Sequence, residues 1–232
     1  MLDRLRCLGS CGYLGGIPSV PEPFAWSWGA LREFNAEFLC AQGETIHYTR
    51  ATFSLHSSAR NFLVSEMRGD WLWMTDTDHV MEPDVVFKMV KLQERYQLPV
   101  LTGIYRQKAL PHGPMLWVWN EKEHGFTQLI EYDATVPCFQ VDAAGGGCLL
   151  MHRTAIEKLE SLCEPPEEIF DHIGKWGEDL SMFLRCKRAG IPVYATPLVE
   201  TIHLMTRGIT DEDYVEGWWE SQEVETKAVK RG

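Results

Sequence analysis

Two carboxylates, Asp76 and Asp78, directly follow a hydrophobic segment of the chain. That segment, Trp-Leu-Trp-Met-Thr at 71–75, has the composition of a strand that packs on both faces. A strand that ends in Asp-x-Asp presents hard oxygen ligands at its carboxyl end, where open α/β sheets bind their ligands. The pattern therefore predicts a site that holds a divalent cation against a nucleoside diphosphate.

Asp-x-Asp alone does not identify such a site. The chain contains a second copy, Asp211-Glu-Asp213, in an acidic segment with no strand before it, which favours a solvated charged turn or the start of a helix. For Asp76 and Asp78 the structural alternative is a capped turn, because Glu82-Pro83-Asp84 is typical of a helix start. The choice depends on the other polar groups of the chain.

A second carboxylate pair, Glu178 and Asp179, opens a helix predicted over Glu178–Ala189. Acidic residues are common in a first helical turn because the helix dipole favours them, so a structural role competes with a catalytic one. A carboxylate there stays ionised at neutral pH and can accept a proton from a hydroxyl. Trp176 offers a flat apolar face that suits a sugar ring or the core equally well. His203, near the end of the last predicted strand, could add an imidazole ligand for Mn²⁺.

The predicted elements that position these residues change character near residue 105. Before it, the chain has the order β-α-β-α-β-α-β, with its first strand at Tyr13–Ile17, which predicts a mainly parallel sheet with helices on both faces. After it, segments 115–120 and 126–132 favour an antiparallel pair, and a strand over Phe139–Met151 is interrupted by Gly145–Gly147. We predict one α/β domain over residues 1–232, with a nucleotide-binding half at about 10–105, an acceptor and catalytic half at about 106–207, and a tail at 208–232.

Composition restricts the class of protein further. The 232 residues suffice for a substantial core, and a formal net charge of −11 argues against a general nucleic-acid-binding surface. No apolar run reaches membrane-spanning length, and the first nine residues lack the apolar core of a signal peptide. Seven scattered cysteines without paired CxxC clusters favour reduced thiols in a cytoplasmic protein.

The motifs occur in an order that resembles a known family. The chain is similar to the nucleotide-sugar-dependent glycosyltransferases of the GT-A fold, in particular the large inverting family 2 and its short phage- and bacterium-type relatives. The resemblance implies a Rossmann-like single domain and covers roughly Ile17 to Arg207. The segments that carry it are Ala59-Arg60-Asn61, Trp73-Met-Thr-Asp76-Thr-Asp78 with Pro83 following, Thr102-Gly-Ile-Tyr105, Ala144–Arg153, Trp176-Gly-Glu-Asp179 and His203.

The resemblance implies a role for each acidic motif and for the last histidine. Asp78 would ligate Mn²⁺ or Mg²⁺ directly, and Asp76 would contact the donor ribose or reach the metal through water. His203 would complete the protein's share of the metal shell. Asp179 would deprotonate the acceptor hydroxyl, with Glu178 orienting the acceptor.

Other residues are assigned to the donor by the same resemblance. Pro18 and Ser19 would lie near the nucleotide base, although the preceding segment is shorter and richer in glycine than the family's first strand. Arg60 would lie near the nucleotide, with a surface salt bridge as the structural alternative. Gly146 and Gly147 would let the backbone approach the donor sugar or the acceptor.

The reaction implied is transfer of a sugar from a UDP- or GDP-type nucleotide sugar to a hydroxyl of a glycan, a lipid-linked sugar or another acceptor. A cation would neutralise the departing diphosphate, and one base on the opposite face would suffice for displacement with inversion. A retaining glycosyltransferase and a non-catalytic glycan- or nucleotide-binding module remain alternatives; nine tryptophans could suit the latter. A nucleotidylyltransferase is disfavoured because residues 15–23 lack the Lys or Arg that would hold a triphosphate.

Overall fold

Helices and strands alternate along the first half of the chain, as its hydrophobic pattern predicts. The computed structural model describes residues 6–15, 20–40, 42–53 and 55–205. Within them lie five helices, α1 Glu22–Cys40, α2 His56–Ser65, α3 Val85–Tyr96, α4 Arg153–Glu160 and α5 Glu178–Ala189. The twelve strands in the same residues are β1 Arg6–Leu14, β2 Glu44–Ala51, β3 Trp71–Asp76, β4 His79–Val80, β5 Val100–Ile104, β6 Leu116–Asn120, β7 Gly125–Gln128, β8 Phe139–Val141, β9 Ala143–Ala144, β10 Cys148–His152, β11 Val193–Glu200 and β12 Ile202–His203.

A central sheet contains seven of these strands in the order β2-β1-β3-β10-β5-β11-β8. Strands β1, β2, β3, β5 and β11 run in one direction, whereas β10 and β8 run against their neighbours. The predicted mainly parallel sheet is confirmed. The sheet draws strands from both predicted halves of the chain, since β10 lies between β3 and β5.

Strand β3 is buried on both faces, as the sequence predicts. Trp71 and Trp73 belong to the apolar core that contains α1 and α3. Leu72 and Met74 belong to the core on the other face, which contains α2, α4 and α5. Burying both sets of side chains stabilises β3 and fixes where its carboxyl end, and therefore Asp76, lies.

The first strand is misplaced in the sequence-based prediction. The segment Tyr13–Ile17 was expected to form it, but the strand is Arg6–Leu14, which pairs in parallel with both β2 and β3. The glycines of this segment suggest a turn, but in the strand they make room for neighbouring side chains. A Cβ on Gly9 would lie 2.2 Å from the Trp71 ring, and one on Gly12 would lie 2.6 Å from Leu63.

The last strands of the described residues are Val193–Glu200 and the short Ile202–His203. The antiparallel pair after residue 105 is confirmed as β6 and β7. Strand β6 also pairs with β9, which ends at Ala144 immediately before the glycine run. From β9 the chain continues through the glycine run into β10, between β3 and β5 of the large sheet.

Candidate active site

The two aspartates of the first motif lie at the carboxyl end of β3 but have different surroundings. Asp76 is the last residue of the strand, and Asp78 lies in the turn that precedes β4. Strand β4 pairs with β12 so that His79 lies opposite His203. This short antiparallel ladder brings the last histidine of the described chain to the first carboxylate motif.

Asp78 and His203 form the core of a candidate metal site. His203 Nε2 lies 3.4 Å from Asp78 Oδ2, while its Nδ1 lies 2.8 Å from the carbonyl oxygen of Arg106. Because a carbonyl only accepts, Nδ1 carries a proton. Nε2 faces Asp78, so it donates a hydrogen bond to that carboxylate when the ring is protonated and would bind a cation when it is not. Asp78, His79 and His203 place one ligand atom each within 4.8 Å of one another.

Lys108 forms a salt bridge with Asp78. Its Nζ donates a hydrogen bond to Asp78 Oδ2, the same oxygen that His203 approaches. Burial alone would raise the pKa of Asp78, but the hydrogen bonds from His203 and Lys108 hold that pKa well below its usual range. The carboxylate is therefore ionised at any physiological pH and available as a ligand.

His79 is the third member of the cluster. Its side chain is fully buried and stacks on the His203 ring, with centroids 4.6 Å apart. Nδ1 lies 2.8 Å from Thr201 Oγ1, whereas Nε2 has no hydrogen-bond partner among the described residues. Burial lowers the pKa of His79 to about 4, so the ring is neutral at pH 7.

Arg60, on the inner face of α2, connects the two acidic motifs. Its side chain is 1% exposed, with Nη2 3.1 Å from Asp76 Oδ1 and Nε 3.1 Å from Asp179 Oδ1. Nη1 donates to the carbonyl oxygen of Gly146 at 3.0 Å, and Glu178 Oε1 lies 3.9 Å from Nε. Burial would lower the pKa of Arg60, but the surrounding carboxylates raise it above its usual value. The guanidinium is therefore a fixed positive charge among three negative ones.

The pKa values of the two carboxylates that open α5 are shifted in opposite directions. Burial raises the pKa of Asp179 to about 6, with Arg60 opposing the rise and Glu178 adding to it. Glu178 Oε1 lies 3.5 Å from His56 Nδ1, and that contact is the main reason its pKa falls to about 2. Asp179 thus has a pKa near the range in which a general base works best, whereas Glu178 stays ionised.

The glycine run before β10 gives room to the groups of both motifs. Gly146 donates its N–H to Asp179 Oδ2 at 2.9 Å, and a Cβ there would lie 2.4 Å from Asp179 Oδ1 and 2.5 Å from Arg60 Cζ. A Cβ on Gly147 would lie 2.4 Å from His79 Nε2. Any larger residue would push these side chains apart, so close approach explains both glycines.

A family model identifies the family of this chain. Residues 31–160, more than half of the 232-residue chain, match the model described as glycosyl transferase family 2. The chain belongs to that family. A comparison with curated proteins finds no matching sequence.

Solved structures give the fold of this family 2 chain. A197 from STIV aligns with a TM-score of 0.56 at 17% identity, covering 85% of this chain and 86% of that one. GalNAc-T7 with UDP, GalNAc and Mn²⁺ aligns with a TM-score of 0.58 at 11% identity, covering 85% of this chain and 43% of the longer one. A UDP-glucose pyrophosphorylase aligns at a TM-score of 0.47, too low to bear on function. The predicted GT-A fold and the predicted glycosyltransferase family are confirmed.

Most of the residues that sequence assigned to the family 2 site lie close together, between the carboxyl end of β3 and the start of α5. Arg60 is buried between Asp76 and Asp179, so it does not form the surface salt bridge that was the alternative. Asp76 contacts Arg60 and is not part of the metal cluster found in the described residues. The glycines face side chains of the protein. Pro18, Ser19 and the tail from 208 lie outside the described residues.

Trp176 packs at the edge of the site against the small sheet. Its ring makes an edge-to-face contact with Phe126, with centroids 5.4 Å apart, and Lys175 Nζ lies 4.7 Å from the ring centroid. The ring is partly buried, in a position between the core and solvent. Its role toward a sugar stays a prediction.

Sequence reasoning gave no role to His79, Tyr105 or His56. Tyr105 accepts the N–H of Gly147 at 3.1 Å and contacts the His79 ring edge-to-face, and His56 Nδ1 lies 3.5 Å from Glu178 Oε1. His79 had a usable signal, because a histidine next to an Asp-x-Asp adds an imidazole ligand to the two carboxylates. The others are recognisable only once the strands are paired.

None of the helices in the described residues is long and apolar enough to span a bilayer.

Proposed function

We propose that this protein transfers a sugar from a nucleotide-diphosphate sugar to an acceptor hydroxyl, with a divalent cation and with inversion at the anomeric carbon. The observation that carries the proposal is the Arg60 bridge, which contacts Asp76 and Asp179 at 3.1 Å each. It joins the carboxyl end of β3, where α/β sheets bind nucleotides, to a carboxylate suited to act as base. The proposed donor side and acceptor side are thereby adjacent, joined by one guanidinium.

The cation would be held by Asp78 and His203. The donor set fits, because a carboxylate and an imidazole whose Nε2 faces that carboxylate suit Mn²⁺, and Asp78 keeps its charge. When bound, Mn²⁺ or Mg²⁺ supplies positive charge that stabilises the leaving diphosphate. A cleft of about 280 Å³ opens beside His203, and its lining includes Arg106 and Lys108. These two side chains add positive charge where the diphosphate would lie.

Asp179 would serve as the base. Its Oδ2 accepts the N–H of Gly146, while Oδ1 has no aligned hydrogen bond although Arg60 Nε is 3.1 Å away. Oδ1 is buried beside Arg60, but a quarter of the Asp179 side chain is exposed, so an acceptor hydroxyl could reach the carboxylate. With a pKa of about 6, the carboxyl is mostly ionised at pH 7. A base on one face and a departing diphosphate on the other favour direct displacement, which inverts the anomeric centre.

The donor base is expected to be uracil or guanine. The structure of GalNAc-T7 contains UDP and Mn²⁺, and its fold aligns with this chain, so UDP-sugars with Mn²⁺ are the first donors to test. Acceptors to test are glycans, lipid-linked sugars and other hydroxyl compounds. The net charge of −11 makes a polyanionic acceptor unfavourable.

The experiment is a panel of nucleotide sugars, incubated with the protein with and without Mn²⁺, in which release of nucleoside diphosphate is measured. We expect metal-dependent hydrolysis of one donor, lost in Asp78→Ala and retained in Asp84→Ala. Asp84 is a suitable control because it follows the same strand but pairs with Lys88 at 3.0 Å on the surface. The anomeric configuration of a transfer product, read by NMR, tests inversion.

Two other outcomes would favour the alternatives. Thermal stabilisation by a nucleotide without turnover in any condition would favour a non-catalytic binding module. Retention of the donor's anomeric configuration would favour a retaining enzyme and remove the need for Asp179 as base.

A further inference from the structure

We propose that His79 is a second imidazole ligand of the cation held by Asp78 and His203, so that the site has two histidines and one carboxylate. This inference deepens the proposed function and rests on it for the role of the cation. The ligand set favours transition-metal ions, Mn²⁺ among them, over Mg²⁺, because Mg²⁺ prefers oxygen ligands and keeps its waters, whereas imidazole is a ligand for transition-metal ions.

The β4–β12 ladder sets the geometry of the three groups. It pairs His79 with His203, and the two rings stack at an interplanar angle of 25°. His79 Nε2 lies 3.9 Å from Asp78 Oδ1, and His203 Nε2 lies 3.4 Å from Asp78 Oδ2. Neighbouring ligand atoms of an octahedral cation with bonds of about 2.1 Å are about 3 Å apart. All three atoms already lie within 4.8 Å, so side-chain shifts of about 1 Å would bring them to bonding distance.

The unsatisfied nitrogen of His79 is the observation that points to a ligand. The residue is fully buried, and its Nε2 has no hydrogen-bond partner among the described residues. Leaving such a group unpaired is unfavourable, and a bond to a cation would offset that cost. A Cβ on Gly147 would lie 2.4 Å from this nitrogen, so the glycine keeps the space beside Nε2 clear.

Both histidines have the hydrogen bond that a ligating imidazole usually makes through its other nitrogen. For His203 the partner of Nδ1 is the carbonyl oxygen of Arg106, and for His79 it is Thr201 Oγ1, each at 2.8 Å. Thr201 is itself held by a backbone hydrogen bond from its N–H to the carbonyl of Ile104. The two rings are therefore oriented by neighbouring residues, His203 by Arg106 just after β5 and His79 by Thr201 between β11 and β12.

The test counts imidazole ligands with Co²⁺ alone, without nucleotide or acceptor. A histidine bound to paramagnetic Co²⁺ shows its remaining ring N–H as an exchangeable proton resonance far outside the normal NMR range. We expect two such resonances in the wild-type protein and one in His79→Asn. Asparagine places a polar atom near the Nδ1 position that contacts Thr201 but has none at Nε2. His152→Asn is the matched control, because His152 Nδ1 also lies 2.8 Å from a threonine hydroxyl, that of Thr154, at the other end of the sheet.

Calorimetric titrations with Mn²⁺ alone and Mg²⁺ alone give an independent measure. His79→Asn should weaken Mn²⁺ binding at least about tenfold, the lower end of what a lost outer partner costs, and should change Mg²⁺ binding much less. Thr201→Val, which keeps the imidazole but removes its hydrogen-bond partner, should weaken Mn²⁺ binding by a smaller factor. Thermal unfolding of the metal-free variants checks that each is folded.

The outcomes distinguish this inference from the proposed function. A single exchangeable resonance that persists in His79→Asn and disappears in His203→Asn would overturn the inference, even if sugar transfer depends on Mn²⁺. Two resonances, one lost in His79→Asn, would support it even if no nucleotide sugar is turned over. Unchanged Mn²⁺ affinity in a folded His79→Asn protein would also overturn it.

Discussion

Asp179→Asn distinguishes a catalytic base that is costly to ionise from a structural ion-pair partner of Arg60, because the two roles predict stability changes of opposite sign. In the folded protein the pKa of Asp179 is about 6, whereas an unfolded aspartate has a pKa of about 3.9. The folded state therefore retains this proton to higher pH than the unfolded state does. Stability from this group is lost as the pH rises from about 4 to about 6. Asparagine, which does not ionise, avoids that loss.

The size of the effect follows from the difference in pKa. A difference of about two units corresponds to about 3 kcal/mol above pH 7, and to about half of that at pH 5. This figure is an upper limit for the gain in the free energy of unfolding. The asparagine amide can place a donor against Arg60 Nε, which lies 3.1 Å from Asp179 Oδ1, and that contact would reduce the gain. We expect a gain of about 1–3 kcal/mol at pH 8, or a rise in Tm of about 2–10 °C for a chain of this size. Glu178, whose pKa of about 2 gives the opposite dependence, is present in both proteins and cancels in the difference.

Thermal unfolding of both proteins between pH 5 and pH 8 measures this difference. The kcat with the donor that the nucleotide-sugar panel identifies should fall about 10²- to 10⁴-fold in the variant. Asp142→Asn is the control. Asp142 also accepts a backbone N–H, from Trp119 at 2.8 Å, and lies 3.5 Å from a cation, Lys187 Nζ, but away from the cleft. Asp142→Asn should show no pH-dependent gain in stability and should keep full activity. A lower Tm for Asp179→Asn at pH 8, or a difference that does not vary with pH, would refute the reasoning and make Asp179 a structural partner of Arg60.

Three further changes test the same cleft. Arg60→Met should lower the free energy of unfolding by about 3–5 kcal/mol at pH 8 in urea titrations, because buried carboxylates lose their partner, and adding Asp179→Asn should restore part of it. Lys108→Met should tighten Mn²⁺ binding in calorimetry, because its ammonium no longer competes for the metal-binding carboxylate. Gly146→Ala should lower kcat at least about tenfold by displacing the base. Gly29→Ala, where a Cβ has nothing within 4 Å, should keep the full rate. Unchanged stability, affinity or rate, respectively, would contradict each expectation.

Elements with strong local signals were predictable from the sequence. Helix α5 has the predicted bounds, Glu178–Ala189, because acidic residues open it and Gly190 ends it in the left-handed conformation, with φ +63°. Strand β3 was predictable because both of its faces are apolar. In each case the signal lies within the element, so one sequence suffices to recognise it.

Features set by distant neighbours were not predictable in the same way. Strand β1 resembles a turn until Trp71 and Leu63 are seen to fill the space over Gly9 and Gly12. The functional meaning of Arg60 depends on burial among carboxylates from β3 and α5, which no local pattern reveals. Sequence could name the charged groups of the site, but the Arg60 bridge required the fold.

The reversed direction of β10 explains why the glycine run reaches the site at all. A strand parallel to β3 would have to enter at the opposite edge of the sheet, and the residues before it would lie far from Asp76. Because β10 is antiparallel to both β3 and β5, its first residue, Cys148, pairs with Thr75, one position before Asp76. Gly146 and Gly147 therefore lie between the two acidic motifs, in contact with Asp179 and His79, respectively. A single reversed strand thus joins the donor side of the sheet to the helix that carries the proposed base.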